Sequence, residues 1–253
     1  MTATVLVTGG TGTLGRLVTP RLRDAGFKVR VLSRSSHQTT DGIEYAVGNL
    51  TTGEGIDAAV TGVDTIVHLA GEAKGDDEKA RTLVNAVIKA GGKPHLVYIS
   101  VVGADHESFA YFGFKRGAEQ VIADSGLPWT TVRATQFHDL VLTLAQALGK
   151  LPVVPAFSGF RVQPIDARDV ADCLVELAQG EPSGLVPDIA GPRIYTLKEI
   201  LASYLAATGR RRPLLPLHLP GKASCVFRTG VNLAPAHATG VHTWEAFLAD
   251  RVR

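Results

Sequence analysis

The sequence predicts an α/β fold: a doubly wound parallel sheet with helices on both faces, followed by a smaller C-terminal lobe. Three observations predict it. Short apolar runs alternate with helix-like segments through residues 1–135. A glycine-spaced bend joins the first run to the first helix. Ten of the thirteen prolines lie beyond residue 150, so that part should be rich in turns. Strand and helix in alternation give a parallel sheet covered on both faces, with ligands at the carboxyl ends of its strands. The division expected is 1–150 for the sheet domain and 151–253 for the lobe, the two interleaved.

The first strand is the run Ala3-Thr4-Val5-Leu6-Val7, apolar and β-branched as a buried strand requires. It passes directly into VTGGTGTLGR (Val7 to Arg16), where Gly9, Gly12 and Gly15 stand three apart. Leu14, Leu17, Val18 and Leu22 then mark one face of a helix. Val29–Leu32, Ile43–Val47, Thr65–Leu69, His95–Ile99 and Trp129–Arg133 read as the next five strands. Between them Leu83, Val84, Val87 and Ile88 form a helix face closed by Gly91-Gly92, and Ala118, Val121 and Ile122 another before Gly126 and Pro128. In the lobe, Val170, Leu174 and Leu177 mark a helix, as do Ile200, Leu201 and Leu205 behind Thr196 as cap.

Bulk properties exclude several function classes. A net charge of +2 is too small to argue for nucleic acid, and Arg210-Arg211-Arg212 follows Gly209, where cations offset a helix C-terminus. Cys173 and Cys225 are far apart and suggest no disulfide framework, which fits a reducing cytoplasm. No apolar run reaches membrane-spanning length, and no metal-ligand spacing is present.

The glycine bend is built to hold a pyrophosphate. Glycine permits the tight turn and close backbone approach, while the helix behind it presents free N–H groups and its positive dipole end. Arg16 and Leu17 stand where a nucleotide-hydrolase loop needs lysine and then a hydroxyl. The carboxylate expected roughly 20 residues on, for a ribose 2′-hydroxyl, is missing; Ser33 and Arg34 end the second strand instead. A guanidinium there suits a 2′-phosphate, favouring NADP(H) over NAD(H). Asn49, with both donor and acceptor, suits either an adenine edge or a turn. Ala70 and Gly71 would let a ribose or pyrophosphate approach the backbone, and His68 reads as a packed strand residue. Tyr111 and Lys115 are four apart, so on a helix phenol and ammonium share one face. The cation should lower the phenol pKa from about 10 towards a value useful in proton transfer.

These motifs resemble the short-chain dehydrogenase/reductase superfamily in its extended and atypical, NmrA-like branch, a Rossmann-type fold. VTGGTGTLGR, VLSR ending at Arg34 and HLAG at 68–71 are similar to its cofactor half, FKRGAEQVIADSGLPWTTVRATQF (Phe114 to Phe137) to its lysine-bearing helix and following strand. PIDARDVA (Pro164 to Ala171) and YTLKEI (Tyr195 to Ile200) resemble its C-terminal part. The resemblance implies cofactor contacts from Gly9, Thr11, Gly12, Thr13, Leu14, Gly15, Arg34, Asn49 and Leu50. It adds Leu69, Ala70, Gly71 and Lys115, with Gln136 and Phe137 beside the nicotinamide. Lys115 and Tyr111 are the implied catalytic pair. Val102 stands where many such reductases carry a hydroxyl. Val101, Val102, Phe109, Phe112, Phe137 and Phe157 suggest an apolar substrate pocket into which Gln136 and His138 point. Three functions remain open on these residues: a reductase of small carbonyls, quinones or activated alkenes; an NADP(H) sensor read by a protein partner; and a redox-neutral enzyme of the epimerase kind.

Overall fold

The computed structural model describes residues 2–39, 41–72, 74–106 and 110–252. In chain order its main elements are β1 (Thr4–Thr8), α1 (Gly15–Asp24), β2 (Lys28–Ser33), β3 (Glu44–Val47), α2 (Ile56–Val60), β4 (Thr65–His68) and α3 (Asp76–Lys89). There follow β5 (His95–Val101), α4 (Ala110–Ala123), β6 (Trp129–Ala134), α5 (His138–Leu148), β7 (Val154–Phe157), β8 (Arg161–Val162) and α6 (Ala167–Gln179). The chain continues through β9 (Gly184–Leu185), β10 (Tyr195–Thr196), α7 (Leu197–Ala207), β11 (Leu214–Leu217), α8 (Lys222–Thr229) and α9 (Trp244–Arg251). These elements form two compact units. One comprises Met1–Ser100, Ala110–Val132 and Ala171–Val186; the other comprises Val101–Phe109, Arg133–Val170 and Pro187–Arg253.

The first unit is built on a seven-stranded parallel sheet in the order β3-β2-β1-β4-β5-β6-β9. From β1 the chain steps outward to β2 and β3, then returns to place β4 on the other side of β1. Val5 is therefore opposite both Val29 and Thr65. That reversal leaves a crevice at the carboxyl ends of β1 and β4, where open sheets of this kind bind ligands. On one face, Leu6, Ile66 and Leu96 of the strands pack with Leu83, Val84 and Val87 of α3 and Ala118 and Ile122 of α4. These strands are wholly buried, which is why they read as unbroken apolar runs rather than alternating ones. α1 covers strand residues with Val18 and Leu22 buried, and its Arg21 pairs with Asp172 of α6 at 2.7 Å.

The second unit has its own core, in which α5, α7 and α9 surround Trp244, Tyr204, Ile200 and Val141. β7 pairs with β11 in parallel and β8 with β10 antiparallel. Thr196 caps α7 in a reciprocal box: its hydroxyl accepts from Glu199 N–H at 3.2 Å, and its own N–H donates to the Glu199 carboxylate at 2.7 Å.

Candidate functional site

A cavity of about 270 Å³ lies in the first unit at the crevice described above. Its floor is the bend after β1. Gly9 adopts φ +70, a conformation that disfavours any other residue, and a Cβ placed on it would come within 2.8 Å of the Ala70 nitrogen. The bend closes by a hydrogen bond from Gly12 N–H to Gly9 O at 3.0 Å. A Cβ at Gly15 would fall 2.3 Å from Gly9 O, so glycine is the residue that lets α1 start this close to the bend. The opposite wall is the segment after β4: Leu69 N–H donates to Thr8 O at 3.1 Å and Ala70 N–H to Thr8 Oγ1 at 3.3 Å. Beneath it, His68 Nδ1 lies 2.6 Å from the same hydroxyl and its ring stacks on Tyr98. Burial pulls the His68 pKa down to about 4, so the ring is neutral and acts as packing.

Of the residues singled out from the sequence, Gly9, Thr11, Gly12 and Arg34 line this cavity, as do Asn49, Leu50, Leu69, Ala70 and Gly71. Among the described residues, Thr13, Leu14, Gly15 and Lys115 do not. Leu14 is buried below the bend, and Thr13 is exposed. Arg34 is exposed beside Ser33, whose hydroxyl accepts from Ser35 N–H at 3.2 Å and lies 3.0 Å from His37 Nε2. Asn49 Oδ1 accepts from Thr51 N–H at 3.0 Å, the self-closing turn that its residue type favours.

Lys115 stands behind Gly71. A Cβ at Gly71 would lie 2.8 Å from Lys115 Nζ and 3.1 Å from Asp76 Oδ2, so the absence of a side chain there leaves the ammonium at the cavity wall. Lys115 is 8% exposed and its Nζ lies 2.7 Å from Asp76 Oδ2, itself 1% exposed. The rings of Tyr98 and Tyr111 flank the ammonium at 5.8 and 5.9 Å. The expected lowering of the Tyr111 pKa is corrected here. Burial, and then the Asp76 charge, push the phenol up to about 12. Burial and Asp76 push Tyr98 up as well. Lys115 is paired with a carboxylate, and the phenols feel that carboxylate at close range. Three charged residues at this site were not singled out from the sequence: Asp76, and the Glu72–Lys79 pair at 3.0 Å that also lines the cavity. Asp76 lies in register with Ala80, Leu83 and Val87 on the buried face of α3, a signal that the sequence carried.

The remaining candidates belong to the second unit. Gln136 spends both ends of its amide internally, donating to Asn232 O at 2.9 Å and accepting from Gln163 N–H at 3.2 Å. Phe137 bridges to Ile165 and precedes α5. His138 is wholly buried against Trp244 and Phe247, with Nδ1 3.4 Å from Asp166. A ring with no exposed edge is a packing residue here, not the pocket-facing group expected. Burial raises the Asp166 pKa, but hydrogen bonds from His138 and Arg168 outweigh it and hold the carboxyl well below its ordinary range. Val102 packs with Ala190 and Ala234. Phe109 lies outside the described residues.

A family model described as NAD(P)H-binding matches residues 9–181, more than half of the sequence. The chain belongs to the NAD(P)H-binding family. Within the short-chain dehydrogenase/reductase superfamily, it is 34% identical over 214 residues to the (4-alkanoyl-5-oxo-2,5-dihydrofuran-3-yl)methyl phosphate reductase of Streptomyces griseus, covering 81% of this chain and 74% of that one. It is 30% identical over 215 residues, with the same coverage, to the NAD(P)H azoreductase of Xenophilus azovorans. In fold it is similar to the NADPH-dependent quinone oxidoreductase of Escherichia coli solved with NADPH (TM-score 0.84, 18% identity, 97% of this chain and 99% of that one). The residues present fit the family's cofactor: a side-chain-free bend at Gly9 and Gly12, a bare wall at Gly71 with the Lys115 ammonium behind it, and two lining cations, Arg34 and Lys79. Among the described residues no helix is long and apolar enough to cross a membrane, and no cluster of ligating side chains could hold a metal.

Proposed function

We propose that the chain is an NADP(H)-dependent reductase of small carbonyls, quinones or activated alkenes. The observation that carries this reading is the buried Lys115 ammonium, held by Asp76 against the side-chain-free wall at Gly71. Burying an ion pair costs several kcal/mol of desolvation, so its placement at a ligand-binding edge supports a role in chemistry or binding. The two curated relatives, each named for reduction, support the same class.

In this reading the backbone of Gly9–Gly12 and the N-terminus of α1 hold the pyrophosphate. Arg34, with Ser33 beside it, takes a 2′-phosphate, which makes NADP(H) the preferred carrier. When bound, the nicotinamide supplies a hydride. Lys115 stabilises the negative charge that reduction leaves on the acceptor oxygen. Tyr111, held near 12, stays protonated at neutral pH. It can donate to an alkoxide, which is more basic, but is a poor donor to a quinol-type oxygen. For quinones, Lys115 holds the oxyanion, which takes its proton from the solvent at neutral pH without Tyr111. We assign substrate recognition to residues 151–253 and the protein to the cytoplasm.

A second reading, a cofactor sensor read by a protein partner, is favoured by apolar Val102 in the place of a substrate-orienting hydroxyl. Mixing the protein with NADPH and a panel of quinones, aldehydes and enones, while following nicotinamide absorbance, separates the two. Turnover with at least one class is expected. Tight NADPH binding with every acceptor left unreduced gives the site to the sensor.

A further inference from the structure

Asp76 opens α3, where acidic residues ordinarily offset the helix dipole from solvent, as exposed Glu78 does. Asp76 instead turns inward and is 1% exposed. Its two oxygens join three elements. Oδ1 accepts from Glu72 N–H at 2.8 Å, on the segment that walls the cavity, and lies 4.0 Å from Lys79 Nζ. Oδ2 lies 2.7 Å from Lys115 Nζ on α4. The pair sits directly behind Gly71, where a methyl group would touch both partners. A carboxylate needed only for the dipole has no reason to be buried, nor to address a lysine on another helix.

We infer that Asp76 is a positioning residue for Lys115: it fixes the ammonium beside Gly71 and ties it to the cavity wall through the Glu72 amide. The ammonium is ion-paired with Asp76 Oδ2 and lies over the rings of Tyr98 and Tyr111, so the carboxylate charge sets where the ammonium sits. This inference rests on the reading of Lys115 as the cation that addresses cofactor or substrate.

A double-mutant cycle tests it, using Asp76→Asn, Lys115→Met and the double variant of the full chain. The readouts are kcat and KM for the best acceptor, the NADPH Kd by calorimetry, and the emission of bound NADPH. If Asp76 acts through Lys115, each single change lowers kcat by about 30- to 100-fold, and the double variant is no worse than Lys115→Met. Asp76→Glu, which keeps the charge, should recover about tenfold over Asp76→Asn and gives the answer if the Asn variant folds poorly. Losses that multiply in the double variant, or an unaffected Asp76→Asn, overturn the inference. An unaffected Lys115→Met overturns the reading of Lys115 as well. If no acceptor is reduced, the same cycle is read in Kd and emission, with non-additivity again the expected result.

Discussion

In the function proposed here, cofactor choice turns on Arg34. Its side chain is exposed at the cavity with no carboxylate among the cavity-lining residues except Glu72. Arg34→Glu is therefore expected to weaken NADPH binding about 10- to 100-fold while leaving NADH within about threefold, since a charge-assisted pair contributes roughly 1.5–3 kcal/mol. Equal effects on both nucleotides in a calorimetric comparison contradict the assignment. The place of Arg34 in the cavity lining was legible from its position at the end of β2. Asp76 was hidden because an acid at a helix start has a simpler explanation, and only its register with Ala80, Leu83 and Val87 betrays it. The Tyr111–Lys115 spacing was legible, but the electrostatics was not. Spacing cannot show that a third residue pairs with the lysine and raises the phenol. Tyr111→Phe should accordingly cost less with quinones than with aldehydes. A larger loss with quinones contradicts the proton route given above.

At the scale of elements, the bend from β1 to α1 and the wall after β4 are fitted to one another through glycine. Gly71→Ala leaves the backbone free to fold, because the atoms it meets are side-chain ends, Lys115 Nζ at 2.8 Å and Asp76 Oδ2 at 3.1 Å, and not main chain. It is expected to displace Lys115 and lower turnover, with the melting temperature nearly unchanged. Gly15→Ala meets backbone at 2.3 Å instead and should lower stability by several kcal/mol, readable in urea unfolding. A silent Gly15→Ala, or a Gly71→Ala that only unfolds, reverses the picture. β1, β4, β5 and β6 were legible because burial makes them largely continuous runs of apolar and β-branched residues, whereas β2 and β3, nearer the sheet edge, are only partly buried. α5 was not. Val141, Leu142 and Ala145 are buried while Leu140 and Leu144 are exposed, so apolar residues on both faces erase the helical period. That lost helix is why His138 reads in sequence as a loop residue reaching a pocket. In the fold it begins α5 inside an aromatic cluster.

For the molecule as a whole, His68 couples the site to stability. Its ring is fully buried and its pKa falls from 6.5 to about 4. Between those values the unfolded chain binds a proton that the folded chain does not, so stability declines as pH falls through that window. At about 1.4 kcal/mol per pH unit, the loss amounts to about 3 kcal/mol. His68→Gln should flatten the slope of unfolding free energy between pH 6.5 and 4, measured by urea titration; an unchanged slope removes His68 from the account. The fold and the nucleotide cleft were legible in the sequence as a whole because composition, periodicity and the glycine bend agree. The substrate was not: the part to which we assign its recognition is proline-rich, and no short motif there fixes geometry.

The account stands on dinucleotide binding in the cleft between β1 and β4. Isothermal titration of the wild-type chain with NADPH, alongside Arg34→Glu, addresses it most directly. Saturable binding of one nucleotide per chain, weakened in the variant, is the result expected. Absence of heat with NADPH and NADP+ at millimolar concentration contradicts it.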